Sequence, residues 1–158
     1  MASILVTGMS GVGKSTALAK LARRGFETVD TDDGDWISVV DGEPLWREAR
    51  IDALLSVPRP SHLFVQGTVA NQGLFYDRFE AVVLMTAPIE VIVHRLRTRT
   101  TNDFGKSAAE EAKILRDLAE FEPVLRSGAT HELDTTGTVD DVVDSLIAVA
   151  DDLGTMNP

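Results

Sequence analysis

Residues 6–16 read VTGMSGVGKST, an apolar strand end that breaks into a loop of three glycines, then a lysine and two hydroxyls. Those residue types in that order suit phosphate. Glycines at 8, 11 and 13 let the backbone turn its N–H groups inward at dihedral angles a Cβ would resist. The helix expected to follow adds partial positive charge at its N-terminus. Lys14 can reach β- and γ-phosphates, and the Ser15 hydroxyl can ligate Mg²⁺. Gly8, Gly13, Lys14 and Ser15 satisfy G-x-x-x-x-G-K-[ST] in its required strand–loop–helix setting. The ligand expected is therefore a nucleoside triphosphate, held by Gly8, Ser10, Gly11, Val12, Gly13, Lys14, Ser15 and Thr16.

Three further groups could do chemistry. VDTDDGD (29–35) sets four acids, Asp30, Asp32, Asp33 and Asp35, directly after an expected strand, where they could serve phosphate chemistry or form a solvated acidic turn. Arg47 and Arg50, three apart on an expected helix, could clamp a carboxylate or phosphate, or else pair with Glu43 and Glu48. Arg95 and Arg99 lie one helical turn apart, so both can face the same ligand. The histidines at 62, 94 and 131 have no metal-ligand spacing and read as structural.

These groups need a scaffold, and the chain's periodicity supplies one. Apolar runs at 3–8, 26–30, 62–67, 81–86 and 130–135 read as strands, with helical periodicity between them. Helices are expected from Lys14 through Arg24, over about 43–56, from Pro88 onward, over 107–125 and over 138–153. That alternation implies an α/β domain with a mainly parallel sheet. Two connections are long, about 31–43 and about 98–107, and long loops near a catalytic edge tend to be lids or binding loops.

Composition narrows the class. The 158 residues suit one domain, and 44% are apolar. Fifteen basic against 25 acidic residues give a net charge of -10, which argues against a nucleic-acid duplex as partner but not against a small anion. With no cysteine, disulfides and thiolate chemistry are excluded. The N-terminus lacks the pattern of a secretory signal, and Pro88 and Glu90 interrupt the longest apolar run, so a cytoplasmic protein without a membrane span is expected.

A phosphate loop leaves the reaction open. No N-K-x-D reader of guanine is present, and DTTG (134–137) lies too near the C-terminus for a switch loop. The third strand ends in Gln66 and Gly67, where a motor ATPase would carry an acid. With its acids after the second strand, the chain resembles the small-molecule P-loop kinases, including shikimate kinase, gluconate kinase and adenylate kinase. The resemblance spans nearly the whole chain. It implies a three-layer P-loop NTPase fold over 1–158, a five-stranded parallel sheet of order 2-3-1-4-5 with helices on both faces. It also implies an acceptor region at about 31–60 and a lid at about 98–107.

VDTDD is similar to the D-x-D of shikimate kinases. On that match Asp30 falls near the magnesium and Asp32 near the acceptor hydroxyl, whose proton it would take, with Asp33 and Asp35 leaving the assignment open by a residue. DGEPLWREAR (41–50) is similar to their G-E-x-x-F-R-x-x-E stretch, which implies that Arg47 holds an anionic group of the acceptor; Arg50 stands where that family has glutamate. Of three glycines after the third strand only Gly67 remains as a substrate contact, and Phe121 replaces a late arginine. Gln66, Asn71 and Gln72 are expected to offer the acceptor amide hydrogen bonds instead, with Trp36 and Trp46 flanking its cleft. VVLMTAPIEVIVHRLRTR resembles adenylate kinase, which implies Arg95 on the adenine and Arg99 as a catalytic lid arginine, with Lys106 a further lid candidate.

The expected activity is transfer of the γ-phosphate of ATP, with Mg²⁺, to a hydroxyl or phosphate of a small anionic metabolite other than shikimate. The catalytic residues would be Lys14, Asp32 and Arg99, with Ser15 and Asp30 on the metal. The rival readings are a nucleoside or nucleotide kinase and a nucleotide-binding regulatory protein without an acceptor. Either a monomer or a homodimer suits the chain.

Overall fold

The alternation of side chains in SILVT explains how the sheet is buried on both sides. In β1 (Ser3–Thr7), Ile4 and Val6 join one apolar core and Leu5 joins the other. A parallel strand buried on both faces reads as a continuous apolar run, as this one does. The computed structural model describes residues 2–9, 11–98 and 108–156. Ser10, Arg99, Lys106 and the lid region beyond Thr98 lie outside the described residues.

The main sheet also contains β2 (Glu27–Asp30), β5 (Leu63–Gln66), β6 (Ala81–Thr86) and β7 (His131–Asp134). All its pairings are parallel, in the order β2-β5-β1-β6-β7. Counting only these five strands along the chain, the order is 2-3-1-4-5, as expected. Helices α1 (Lys14–Arg23), α3 (Ile89–Thr98), α4 (Ala108–Gly128) and α5 (Val139–Met156) supply the core on the Ile4 and Val6 face. On the Leu5 face, Ile51 of α2 (Glu48–Ser56) packs with Phe75 and Phe79 from around the 3₁₀ turn Gln72–Arg78. Among the described residues no helix is long and apolar enough to cross a membrane.

Local sequence sets the ends of α1. It starts at Lys14 because Gly13 adopts the left-handed conformation, φ 95°, at the N-cap. It stops in a Schellman closure, in which the Gly25 amide donates to the Ala22 carbonyl and the Phe26 amide to the Leu21 carbonyl.

The helix expected from about residue 43 is corrected. Glu43–Trp46 is instead a strand, β4, antiparallel to β3 (Ile37–Val40) in a separate two-stranded sheet. Asp41 and Gly42 connect the two with φ 52° and 78°. Two successive left-handed residues, Asp-Gly, are what a tight hairpin requires. The Asn71 side chain then takes the place of a neighbouring strand. It accepts from the Trp46 amide at 2.9 Å and donates to the Trp46 carbonyl at 3.0 Å. Helix α2 therefore begins only at Glu48, with Arg47 at its N-cap.

Candidate active site

The phosphate loop runs from the end of β1 to the start of α1. A Cβ on Gly8 would come within 2.6 Å of the Met85 carbonyl oxygen, so only glycine fits between the loop and β6. The Lys14 ammonium folds back and donates to the Gly8 carbonyl and, at 3.2 Å, to that of Met9. Burial pushes its pKa from 10.5 down to about 8, against the opposing pull of Asp32 and Asp30. Lys14 is thus a desolvated cation held by two carbonyls in the place where phosphate oxygens would replace them.

Beside this loop, β2 delivers the acids. The Ser15 hydroxyl donates to Asp30 Oδ2 at 3.1 Å. Asp30 Oδ1 accepts from the Asp32 amide at 3.0 Å and from the Gln66 side-chain amide. The same Gln66 Nε2 donates to Asp32 Oδ2 at 3.0 Å. Asp33 lies one residue further along, its amide closing a turn on the Asp30 carbonyl. Lys14, Ser15, Asp30 and Asp32 are therefore brought together.

Arg95 approaches from α3. Its Nη1 donates to the carbonyls of Gly11 (3.3 Å) and Val12 (3.2 Å) and to Thr135 Oγ1 (3.0 Å), and its Nη2 donates to the Thr135 carbonyl. The guanidinium thus joins the phosphate loop to the β7–α5 connection. Between them lies an open cavity of about 610 Å³, lined by residues 11–17 of the loop and α1, by Asp32 and Arg95, and by Thr135, Gly137 and Val139. Sites for small ligands commonly span about 300–1,000 Å³. Arg97 faces outward and pairs with Glu111.

Several acceptor-side expectations change. Arg47 and Arg50 do not pair with Glu43 and Glu48. Arg47 Nε lies 3.3 Å from Asp35 Oδ1, and Arg50 donates to the Asp35 carbonyl at 2.8 Å while lying 4.3 Å over the Trp36 ring. Both arginines stay half exposed, outside the lining of the large cavity. Gly67 offers no open Cα face. A Cβ there would meet Thr31 Oγ1 at 2.7 Å and the Trp46 ring at 2.8 Å, and its amide donates to the Val6 carbonyl. Packing is what requires glycine at this position. Trp46 does not flank a cleft: it is 2% exposed and donates its indole N–H to Thr31 Oγ1 at 3.0 Å. The Asn71 amide holds β4 through both its oxygen and its nitrogen, and Gln72 donates to Thr7 Oγ1 and Tyr76 Oη at 3.0 Å each. Gln66 faces the acids.

Comparison with known proteins identifies the family. Residues 4–116 match the sequence model of a family described as an AAA domain. A shikimate kinase of Halorhodospira halophila is 32% identical over 152 residues, covering 85% of this chain and 84% of that protein. The chain belongs to the small-molecule P-loop kinases. Among solved structures, the shikimate kinase of Acinetobacter baumannii in complex with shikimate has a TM-score of 0.65 at 19% identity, covering 94% of this chain and 92% of its own. A gluconokinase of Sinorhizobium meliloti 1021 has a TM-score of 0.60 at 18% identity, covering 99% and 98%. These two likenesses show the same fold.

P-loop kinases generally use ATP and Mg²⁺, and the residues present fit both. Gly11, Val12 and Gly13 line the cavity beside the Lys14 ammonium, a curve of backbone around a cation that suits a phosphate. Ser15 Oγ and Asp30 Oδ2 are adjacent hard oxygens of the kind magnesium prefers. The three histidines are not metal ligands as a group, and among the described residues no cluster of three or more His, Cys, Asp or Glu could hold a metal. His62 is buried, accepting from the Ala2 amide at 3.1 Å and meeting Asp151 at 2.9 Å.

Two participants were not anticipated in these roles. One is Asp35 as the partner of both arginines. The other is Gln66 as the link between Asp30 and Asp32. A polar residue ending the otherwise apolar run LFVQ was the available signal for the second.

Proposed function

We propose that this kinase transfers the γ-phosphate of ATP to a hydroxyl of a small anionic metabolite. Lys14 and the backbone of Gly8 to Thr16 hold the phosphates, and Arg95 lies beside the base. Ser15 and Asp30 would hold Mg²⁺, which when bound offsets charge on the β- and γ-phosphates. Asp32 orients the acceptor hydroxyl and takes its proton, and Arg47 binds the acceptor's anionic group. Arg99 meets the phosphates from a lid over about 98–107, and the acceptor region spans about 31–60.

The observation that carries this reading is the row formed by Lys14, Ser15, Asp30 and Asp32 on one edge of the sheet, with Asp32 lining the same cavity as Lys14. A proton acceptor next to the phosphate cradle is what distinguishes a kinase from a protein that only binds nucleotide. Phe121 in place of an arginine and Trp46 over Gly67 support an acceptor other than shikimate.

The test is a screen of ADP release from Mg·ATP against hydroxy acids, including shikimate and gluconate, sugar phosphates and nucleosides. A hydroxylated anion that stimulates release severalfold, with the stimulation lost in Asp32→Asn, supports the assignment. Stimulation by uncharged nucleosides alone would make the protein a nucleoside kinase. Tight ATP binding with no stimulation by any compound would make it a nucleotide-binding regulator.

A further inference from the structure

Gln66 is 0% exposed and ends β5 directly beside Asp30 of β2 in the sheet register. Its backbone and side chain bracket the acid segment. The main-chain carbonyl accepts from the Thr31 amide at 3.2 Å and from Thr31 Oγ1 at 2.9 Å. The side-chain Nε2 donates to Asp30 Oδ1 and, at 3.0 Å, to Asp32 Oδ2. Its Oε1 is buried without a hydrogen-bond partner among the described residues. Buried polar atoms are nearly always paired, so an orphan calls for a reason. Here the reason is the two anions. Turning the amide over would place a carbonyl oxygen against both carboxylates, so the group keeps its donors on the acids and leaves its acceptor unused.

We propose that Gln66 is the positioning residue of the acid pair: by binding one oxygen of each carboxylate it fixes which oxygen of Asp30 faces Ser15 and which oxygen of Asp32 faces the acceptor. The inference rests on the reading of Asp32 as the acceptor-side acid. With Asp30 Oδ1 and Asp32 Oδ2 committed to Nε2, Asp30 Oδ2 is the oxygen that meets Ser15. Asp32 Oδ1 accepts no hydrogen bond among the described residues, and Asp32 lines the cavity with Lys14 and Ser15. The residue type suits the task. A lysine at 66 would neutralise the acids, and a carboxylate would add a third negative charge. An apolar side chain would leave Asp32 Oδ2 without a partner among the described residues and Asp30 Oδ1 with the Asp32 amide alone. The amide supplies two N–H donors and no charge.

The test has two arms on the full chain. In the first, ¹⁵N-labelled ligand-free protein is examined by NMR for the Gln66 side-chain NH₂ group. Asp32→Asn should move one of its two proton resonances and Asp30→Asn the other. If neither moves, the inference is overturned.

In the second arm, ADP release from Mg·ATP is followed with water in place of the acceptor hydroxyl. The wild type is compared with Gln66→Leu, the isosteric Gln66→Glu, Asp32→Asn and the doubles with Asp32→Asn. Each Gln66 variant should lower kcat about tenfold or more with the ATP KM within about twofold, the pattern of a group acting in the transition state. Each double should lose less than the product of its two single losses, because the part of the Gln66 effect that is carried by Asp32 is already gone. Additive losses, or a Gln66 effect confined to KM, overturn the inference while leaving Asp32 in place. A silent Asp32→Asn overturns both this inference and the acceptor-acid reading. Gln66→Glu keeps the shape of the side chain and carries the test if Gln66→Leu does not fold.

Discussion

Ser15 Oγ and Asp30 Oδ2 lie 3.1 Å apart, one at the start of the first helix and the other at the end of an edge strand. Both are hard oxygens of the kind that would flank a divalent cation. Asp30→Asn should therefore raise the Mg²⁺ concentration for half-maximal ATP turnover by about tenfold, the scale of losing one charged oxygen ligand. Asp32→Asn should lower turnover with no such displacement. A magnesium titration of both variants distinguishes them, and equal shifts would refute the division of labour.

Lys14 makes nucleotide binding depend on pH in a defined direction. Its pKa in the free protein is lowered from 10.5 to about 8 by burial. Above about pH 8 the free protein carries a neutral amine, and a triphosphate beside it favours the charged form again. Binding then takes up a proton, and ATP affinity should fall by up to about tenfold per pH unit between pH 8 and 10. Below pH 8 the lysine is charged in both states and contributes no such dependence. Isothermal titration at pH 9 in two buffers of different ionisation enthalpy measures the uptake, which Lys14→Met should abolish.

Asp35 occupies the arginine pair that an anionic acceptor would need. Removing that internal competitor should help the acceptor. Asp35→Asn should lower the acceptor KM severalfold, while Arg47→Ala should raise it about tenfold or more, both with ATP KM unchanged. Steady-state kinetics with the compound found by the ADP-release screen decides this. An unchanged KM in Arg47→Ala would move the anion site elsewhere.

Trp46 and Gly67 form one packing unit under the acids. Trp46→Ala should destabilise the protein by about 3–5 kcal/mol, as large-to-small changes of buried aromatics do. Gly67→Ala places a methyl against the indole and Thr31 and should cost about 1–3 kcal/mol. Urea unfolding of both variants gives the values. A Gly67→Ala protein of unchanged stability would show that the indole can move aside.

How far the sequence revealed this arrangement depended on whether the governing interaction was local. The phosphate loop and the start of α1 were legible because Gly13, Lys14 and Ser15 determine them within a few residues. The parallel sheet was legible from apolar runs separated by helical periodicity, whereas its strand order came with the resemblance to P-loop kinases. The helix expected from about residue 43 overlaps strand β4, and the connection expected over about 31–43 holds strand β3, because the decisive signal was the short Asp41–Gly42 turn. Arg47 consequently moved from a helix face to an N-cap, and its partner became Asp35. Gln66 could not be understood from its own neighbours, since its role depends on the register of β2 against β5.

The central position of β1 also has a consequence for biosynthesis. Its two sheet neighbours, β5 and β6, begin only at Leu63 and Ala81. The strand that carries the phosphate loop therefore leaves the ribosome with nothing to pair with, and about half of the chain must follow before it is flanked on both sides. Domains tend to fold as units during synthesis, and pairings distant in sequence close late. A nascent chain halted before β6 would already contain every loop residue from Gly8 to Thr16 and would still lack the Met85 carbonyl against which Gly8 is set. The phosphate loop is thus seated only once β6, through Thr86, has emerged.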